Sequence, residues 1–79
     1  MQTNYKMCLK FNPDTNRYGL YEGRWIEHGF IQGDTFEIKD ASGEWVETSL
    51  ELDKHGEWYL SGTTIKGKDI EGIEARLEF

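Results

Sequence analysis

The sequence is short of several things, and each shortage narrows what the chain can be. It has one cysteine and one proline, and no apolar run approaching the ~20 residues that a membrane-spanning helix needs. With Cys8 alone, no disulfide can form within the chain, and a lone thiol suits a reducing compartment. No signal-peptide pattern precedes the first structured stretch, so the expected location is the cytoplasm, away from membranes. Nowhere do apolar residues recur at three-to-four spacing over ten residues, which excludes a helical fold. Cations are the minority charge: nine Lys and Arg against fifteen Asp and Glu give a net charge of −6. Such a balance opposes direct, non-specific binding to nucleic-acid phosphates and favours a partner protein with a basic surface. Acidity also serves solubility alone, whatever the chain binds.

What is present points to strands. Seventy-nine residues make one domain, 1–79. A chain of that length buries only ~60% of its unfolded surface, leaving a thin margin of stability. Three Trp, four Tyr and four Phe enlarge the apolar area it has to bury. The organising stretch runs from Ile31 to Leu60. There two Asp-x-x-Gly turns, Asp40–Gly43 and Asp53–Gly56, separate three alternating runs. Asp at the first turn position bonds the backbone two residues on, and Gly accepts the left-handed conformation. A type I turn closed by such a Gly gives a bulged hairpin. The register that follows sets Ile38 opposite Val46, Phe36 opposite Thr48, Leu52 opposite Trp58 and Leu50 opposite Leu60. One face then collects Phe36, Ile38, Val46, Thr48, Leu50, Leu52, Trp58 and Leu60. The other collects Thr35, Glu37, Lys39, Trp45, Glu47, Ser49, Glu51 and Tyr59. A slip of one residue would turn the apolar set into water, so the pattern specifies its own register.

The flanks continue in the same manner. Tyr5 to Phe11 alternates, with Tyr5, Met7, Leu9 and Phe11 inward and Cys8 outward, after a loose end at 1–4. Pro13 lies in a turn, outside any ladder it would interrupt. Arg17 to Tyr21 is a second short strand. Glycines at 23, 29 and 33 break the stretch up to Phe30 into an irregular, partly extended excursion. Ile65 and Ile70 anchor a short turn of 3₁₀ type. Ile73 to Phe79 alternates again, with Ile73, Ala75, Leu77 and Phe79 inward, and is best used by pairing with the first strand to remove an exposed edge. The expected fold is an all-β, SH3-like barrel of five to six short antiparallel strands; the alternative is an open five-stranded meander.

Chemistry is sparse. Asp53, His55 and Glu57 have ligand chemistry, but the other histidine, His28, lies in a distant segment, and no metal site is expected. Cys8 has no base near it in sequence, and Glu47 and Glu51 are better read as solvating carboxylates than as a catalytic pair. Thr64 to Asp69 is a basic turn with no helix after it to form a phosphate site. No catalytic residue and no cofactor is therefore expected, and the chain reads as a non-enzymatic binding protein. Its candidate surface is the outer face of the ribbon, where Trp45 and Tyr59 would anchor a partner and Glu37, Glu47 and Glu51 would steer a basic one. The same carboxylates would also imitate nucleic-acid phosphates. Trp25 and Phe30, in the 24–30 excursion, either join this surface as a second patch or cover it. A competing reading is an oligomer that sequesters a small molecule or nucleotide, with Arg24, Lys66, Lys68 and Arg76 lining the site. The expected state is a monomer or a small homo-oligomer.

The order of features resembles a family. Gly23, Gly29-Phe30-Ile31, Gly33-Asp34 and Phe36-Glu37-Ile38 form its core pattern, followed by Trp45-Val46 and Trp58-Tyr59-Leu60. The chain is similar over Tyr5 to Phe79 to short SH3-like barrel proteins encoded by phages and mobile elements and grouped as a domain of unknown function. The segment from Arg24 to Gly29 is longer than the family's usual hairpin. The resemblance brings no catalytic residues. It implies a genomic setting in which short acidic proteins bind and disable host proteins, defence-system components among them.

Overall fold

Two antiparallel sheets, one of three strands and one of four, account for the computed structural model, which describes residues 6–77. The first sheet holds β1 (Cys8–Asn12), β2 (Arg17–Tyr21) and β3 (Trp25–Glu27) in that order. The second holds β4 (Thr35–Lys39), β5 (Trp45–Leu52), β6 (Trp58–Leu60) and β7 (Ala75–Arg76), in the order β6-β5-β4-β7. A single 3₁₀ turn, Gly67–Ile70, precedes the last strand. The class is the expected one: all-β and small, with one of the two sheets curled as a half-barrel. The strand number is higher than the five or six expected, because the 24–30 excursion supplies β3.

The β4–β5–β6 meander forms in the expected register. Ile38 pairs with Val46 and Phe36 with Thr48. Leu50 pairs with Leu60 and Leu52 with Trp58. The two turns share one construction. In each, the Asp carboxylate oxygen Oδ1 accepts two backbone N–H groups, from Ser42 and Glu44 at Asp40 and from His55 and Glu57 at Asp53. Gly43 and Gly56 close the turns at φ 88° and 82°, and each donates its N–H back to the Asp carbonyl at 3.0 Å. Those angles are left-handed, where a Cβ would crowd the following carbonyl.

The two sheets are joined through residues 72–76. Leu9 N–H donates to the Ile73 carbonyl and Ala75 N–H to that of Met7, while Lys39 N–H donates to the Glu74 carbonyl on the other side. The terminal segment thus pairs with the first strand, as expected, and also with β4. Further along β1, the Phe11 N–H is taken by the Glu71 carboxylate at 2.7 Å.

One core fills the concave side. Leu9, Leu20, Phe36, Ile38, Leu50, Leu60 and Ile70 are fully buried and come from both sheets and the 3₁₀ turn. Tyr18 completes it, its hydroxyl donating to the Gly67 carbonyl at 3.0 Å. Burial and the nearby Glu71 carboxylate raise its pKa above the ordinary phenol value. Thr48, the polar member of the inner face, is buried and donates to the Ser61 carbonyl at 2.7 Å. Two inner-face residues depart from expectation: Val46 and Leu52 are exposed at 39% and 37%. Both lie at ends of β5, where the ribbon outruns the residues that cap it. Met7, Ile73 and Leu77 pack against the core from its edge. The inward assignments of Tyr5 and Phe79, and the loose end at 1–4, lie outside the described residues.

Candidate binding face

The outer side of the β4–β5 ribbon is built from alternation. Because Phe36 and Ile38 are inward, Glu37 and Lys39 point out; because Thr48 and Leu50 are inward, so do Glu47 and Ser49. Lys39 stands opposite Trp45 and Glu37 opposite Glu47. Arg76 stands opposite Glu37 on the other flank of β4. Its Nε donates to Glu37 Oε1 at 2.8 Å, and its guanidinium carbon lies 4.1 Å from the centre of the Trp45 indole. Lys39 reaches the same ring at 5.8 Å and Glu74 at 4.0 Å. Trp45 is accordingly half-buried on the outer face, flanked by two cations rather than by the 24–30 segment. Glu47 is exposed and has no ion pair among the described residues. Two carboxylates directly opposite repel, and Arg76 draws Glu37 away from that repulsion.

Tyr59 shares the face but not the neighbourhood. It pairs with Glu51, six residues along β5 from Trp45, which is about 20 Å at the rise of an extended strand. The Glu51 carboxylate accepts from the Ser49 hydroxyl at 2.7 Å, and Ser49 in turn meets the Ser61 hydroxyl at 2.8 Å. The expected anchors therefore form two groups: Trp45 with Glu37 and Glu47, and Tyr59 with Glu51.

The excursion residues divide. Phe30 is a correction: it is 3% exposed and stacks on Phe36 with ring centres 4.8 Å apart, so it is core and cannot meet a partner. Its N–H donates to the Tyr18 carbonyl, which carries the chain off β3 and turns its ring inward. Trp25 is half-buried on the outer side of the first sheet, edge-to-face with Tyr21 at 5.2 Å. It belongs to a transverse line that crosses both sheets. Trp25 pairs with Tyr21, Tyr21 with Cys8, Cys8 with Glu74, Glu74 with Lys39 through the backbone, and Lys39 with Trp45. Five strand spacings put the two indoles about 24 Å apart along a curved surface.

The roles of two residues escaped sequence reasoning. Arg76 covers Trp45, a long-range contact that no local spacing marks. Asn12 reads as a turn former, yet it is 2% exposed; its amide donates to the His28 carbonyl and its oxygen accepts the Asp14 N–H. The metal candidates do not converge. Among the described residues no group of three or more His, Cys, Asp or Glu is placed to hold an ion, and Asp53 is occupied by its own turn. Nor is any described helix long and apolar enough to cross a membrane.

A family model matches residues 8–77, nearly the whole chain. The chain belongs to the family described as a domain of unknown function, DUF5348. That match spans every strand of both sheets, so the seam at 72–76 is part of the DUF5348 unit. No curated protein and no solved structure matches the chain.

Proposed function

We propose that this DUF5348 protein is a non-enzymatic, cytoplasmic binding protein that docks on a partner protein with a basic surface through the outer face of β4 and β5. The observation that supports this most is the setting of Trp45. A half-exposed indole is held in place by Arg76 and Lys39, beside a Glu47 carboxylate that has no ion pair among the described residues. An aromatic ring held in one orientation loses little freedom on binding, and a free carboxylate beside it selects a cation on the partner. The setting that the sequence resemblance implies, phages and mobile elements, makes a host protein the expected target and inhibition or modulation the expected outcome. Tyr59 and Glu51, at the far end of the same face, extend the contact for a partner that spans about 20 Å.

The test is affinity capture from host lysate with the wild-type chain and with Trp45→Ala combined with Glu47→Lys. Both substituted positions lie outside the core, so circular dichroism should be unchanged. A protein retained by the wild type and lost by the double variant supports the reading; equal retention by both rejects this face.

A further inference from the structure

The net charge of −6 is unevenly placed. Residues 6–30, which build the first sheet, carry four Lys and Arg against three Asp and Glu, whereas residues 31–77 carry five against eleven. Both ion pairs found among the described residues, Lys39 with Glu74 and Arg76 with Glu37, lie on the second sheet side of the seam. Among the described residues Lys6, Lys10, Arg17 and Arg24 have none, and neither do Lys54, Lys66 and Lys68 in the turns of the second half. Alternation about the buried Leu9 and the partly buried Met7 sends Lys6, Cys8 and Lys10 outward. There Lys10 Nζ lies 4.4 Å from the centre of the Tyr21 ring, and Tyr21 packs against Trp25. Beneath them is Gly19: a Cβ at that position would fall 3.1 Å from Trp25 Cζ3 and 2.2 Å from the Glu27 carbonyl oxygen. The absence of a side chain lets the indole and β3 settle onto β2. An indole and a phenol are thus fixed on a sheet surface, bordered by Lys6 and Lys10, which make no ion pair among the described residues; Glu74, opposite Cys8, is paired with Lys39.

We propose that the outer face of β1–β3 binds single-stranded nucleic acid, with bases stacked on Trp25 and Tyr21 and phosphates set against Lys6 and Lys10. Flat aromatic side chains accept any base, and unpaired cations beside them accept the backbone, which is the combination single-strand binders use. An acidic peptide would satisfy the lysines but would leave the two rings without a planar partner. The acidic second sheet repels phosphates, so the strand is confined to the first sheet and its affinity is modest. This inference does not rest on the protein-docking face, which lies across the seam.

The experiment is fluorescence anisotropy of a labelled ten-nucleotide oligo(dT) titrated with the full chain at low salt. Saturable binding is expected. Its log–log salt slope should be shallow, about −1.4 for two phosphate contacts at ~0.7 each. Trp25→Ala should weaken it on the order of tenfold, the loss of one stacked base. Lys6→Glu, at an exposed position that cannot unfold the core, should weaken it several-fold, while Trp45→Ala should leave it unchanged. No binding at low salt, or binding indifferent to both Trp25→Ala and Lys6→Glu, would overturn the proposal. Competition by oligo-glutamate as effective as by unlabelled oligo(dT) would overturn it in favour of an acidic protein partner.

Discussion

Gly19 shows how much one missing methyl can decide. Its neighbour at 2.2 Å is backbone, so a side chain there forces β3 off β2 rather than merely turning a rotamer. Gly19→Ala is therefore expected to destabilise by about 1–3 kcal/mol, the range for overpacked sites, read as a fall in the urea midpoint. Asp40 and Asp53 act through charge instead. Asp40 titrates below its ordinary value of 3.8, chiefly because the Ser42 hydroxyl bonds it, then through the Glu44 N–H. Asp53 does the same, chiefly through the Glu57 N–H. A native carboxyl that titrates below the unfolded one makes the unfolded chain bind the proton first. The stabilisation is complete above the ordinary value and disappears as pH falls through the lowered one. Replacing both by Asn keeps an acceptor and removes the titration. As pH falls below the ordinary carboxyl value, the wild type should lose thermal stability more steeply than the Asn variant, with the two curves converging once both carboxyls are protonated. The role of these aspartates was legible in the sequence because an Asp-x-x-Gly turn is self-contained. The role of Asn12 was not, because its partner His28 is sixteen residues away.

Among elements, the β4–β5–β6 meander was fully readable, since two local turns and strict alternation leave a single register that hides Phe36, Ile38, Leu50 and Leu60. Leu50→Ala should cost about 2–5 kcal/mol, the usual range for a fully buried leucine, and urea denaturation at neutral pH would measure it. β3 was not readable, because three glycines and no alternation surround it and its place is set by Phe30 turning into the core. The cover over Trp45 was equally hidden: Arg76 arrives from β7, thirty-one residues along the chain. Because Arg76 and Glu37 are partly exposed, their bond is worth at most about 1 kcal/mol. Arg76→Ala should therefore change stability little, yet raise the accessibility of Trp45 to acrylamide. An unaltered quenching profile would mean that the guanidinium does not cover the ring.

The whole molecule is a DUF5348 domain whose two sheets share a core but differ outside. The second sheet is acidic, and its strand cations Lys39 and Arg76 are paired; the first carries Lys6 and Lys10, which make no ion pair among the described residues, beside two rings. That division was not legible from net charge, which averages the two. Nor was it apparent from the sequence that Trp25, Trp45 and Tyr59 lie on three separate parts of one curved surface. On the proposed function, a partner protein sits on the region of Trp45 and Glu47. The most direct test is a photo-crosslinking amino acid placed at Glu47 and, in a separate variant, at the exposed Asp69. Ultraviolet irradiation in host cells should join a discrete partner to the Glu47 variant and not to the Asp69 variant. A partner joined at Asp69 alone, or equally at both, would contradict it.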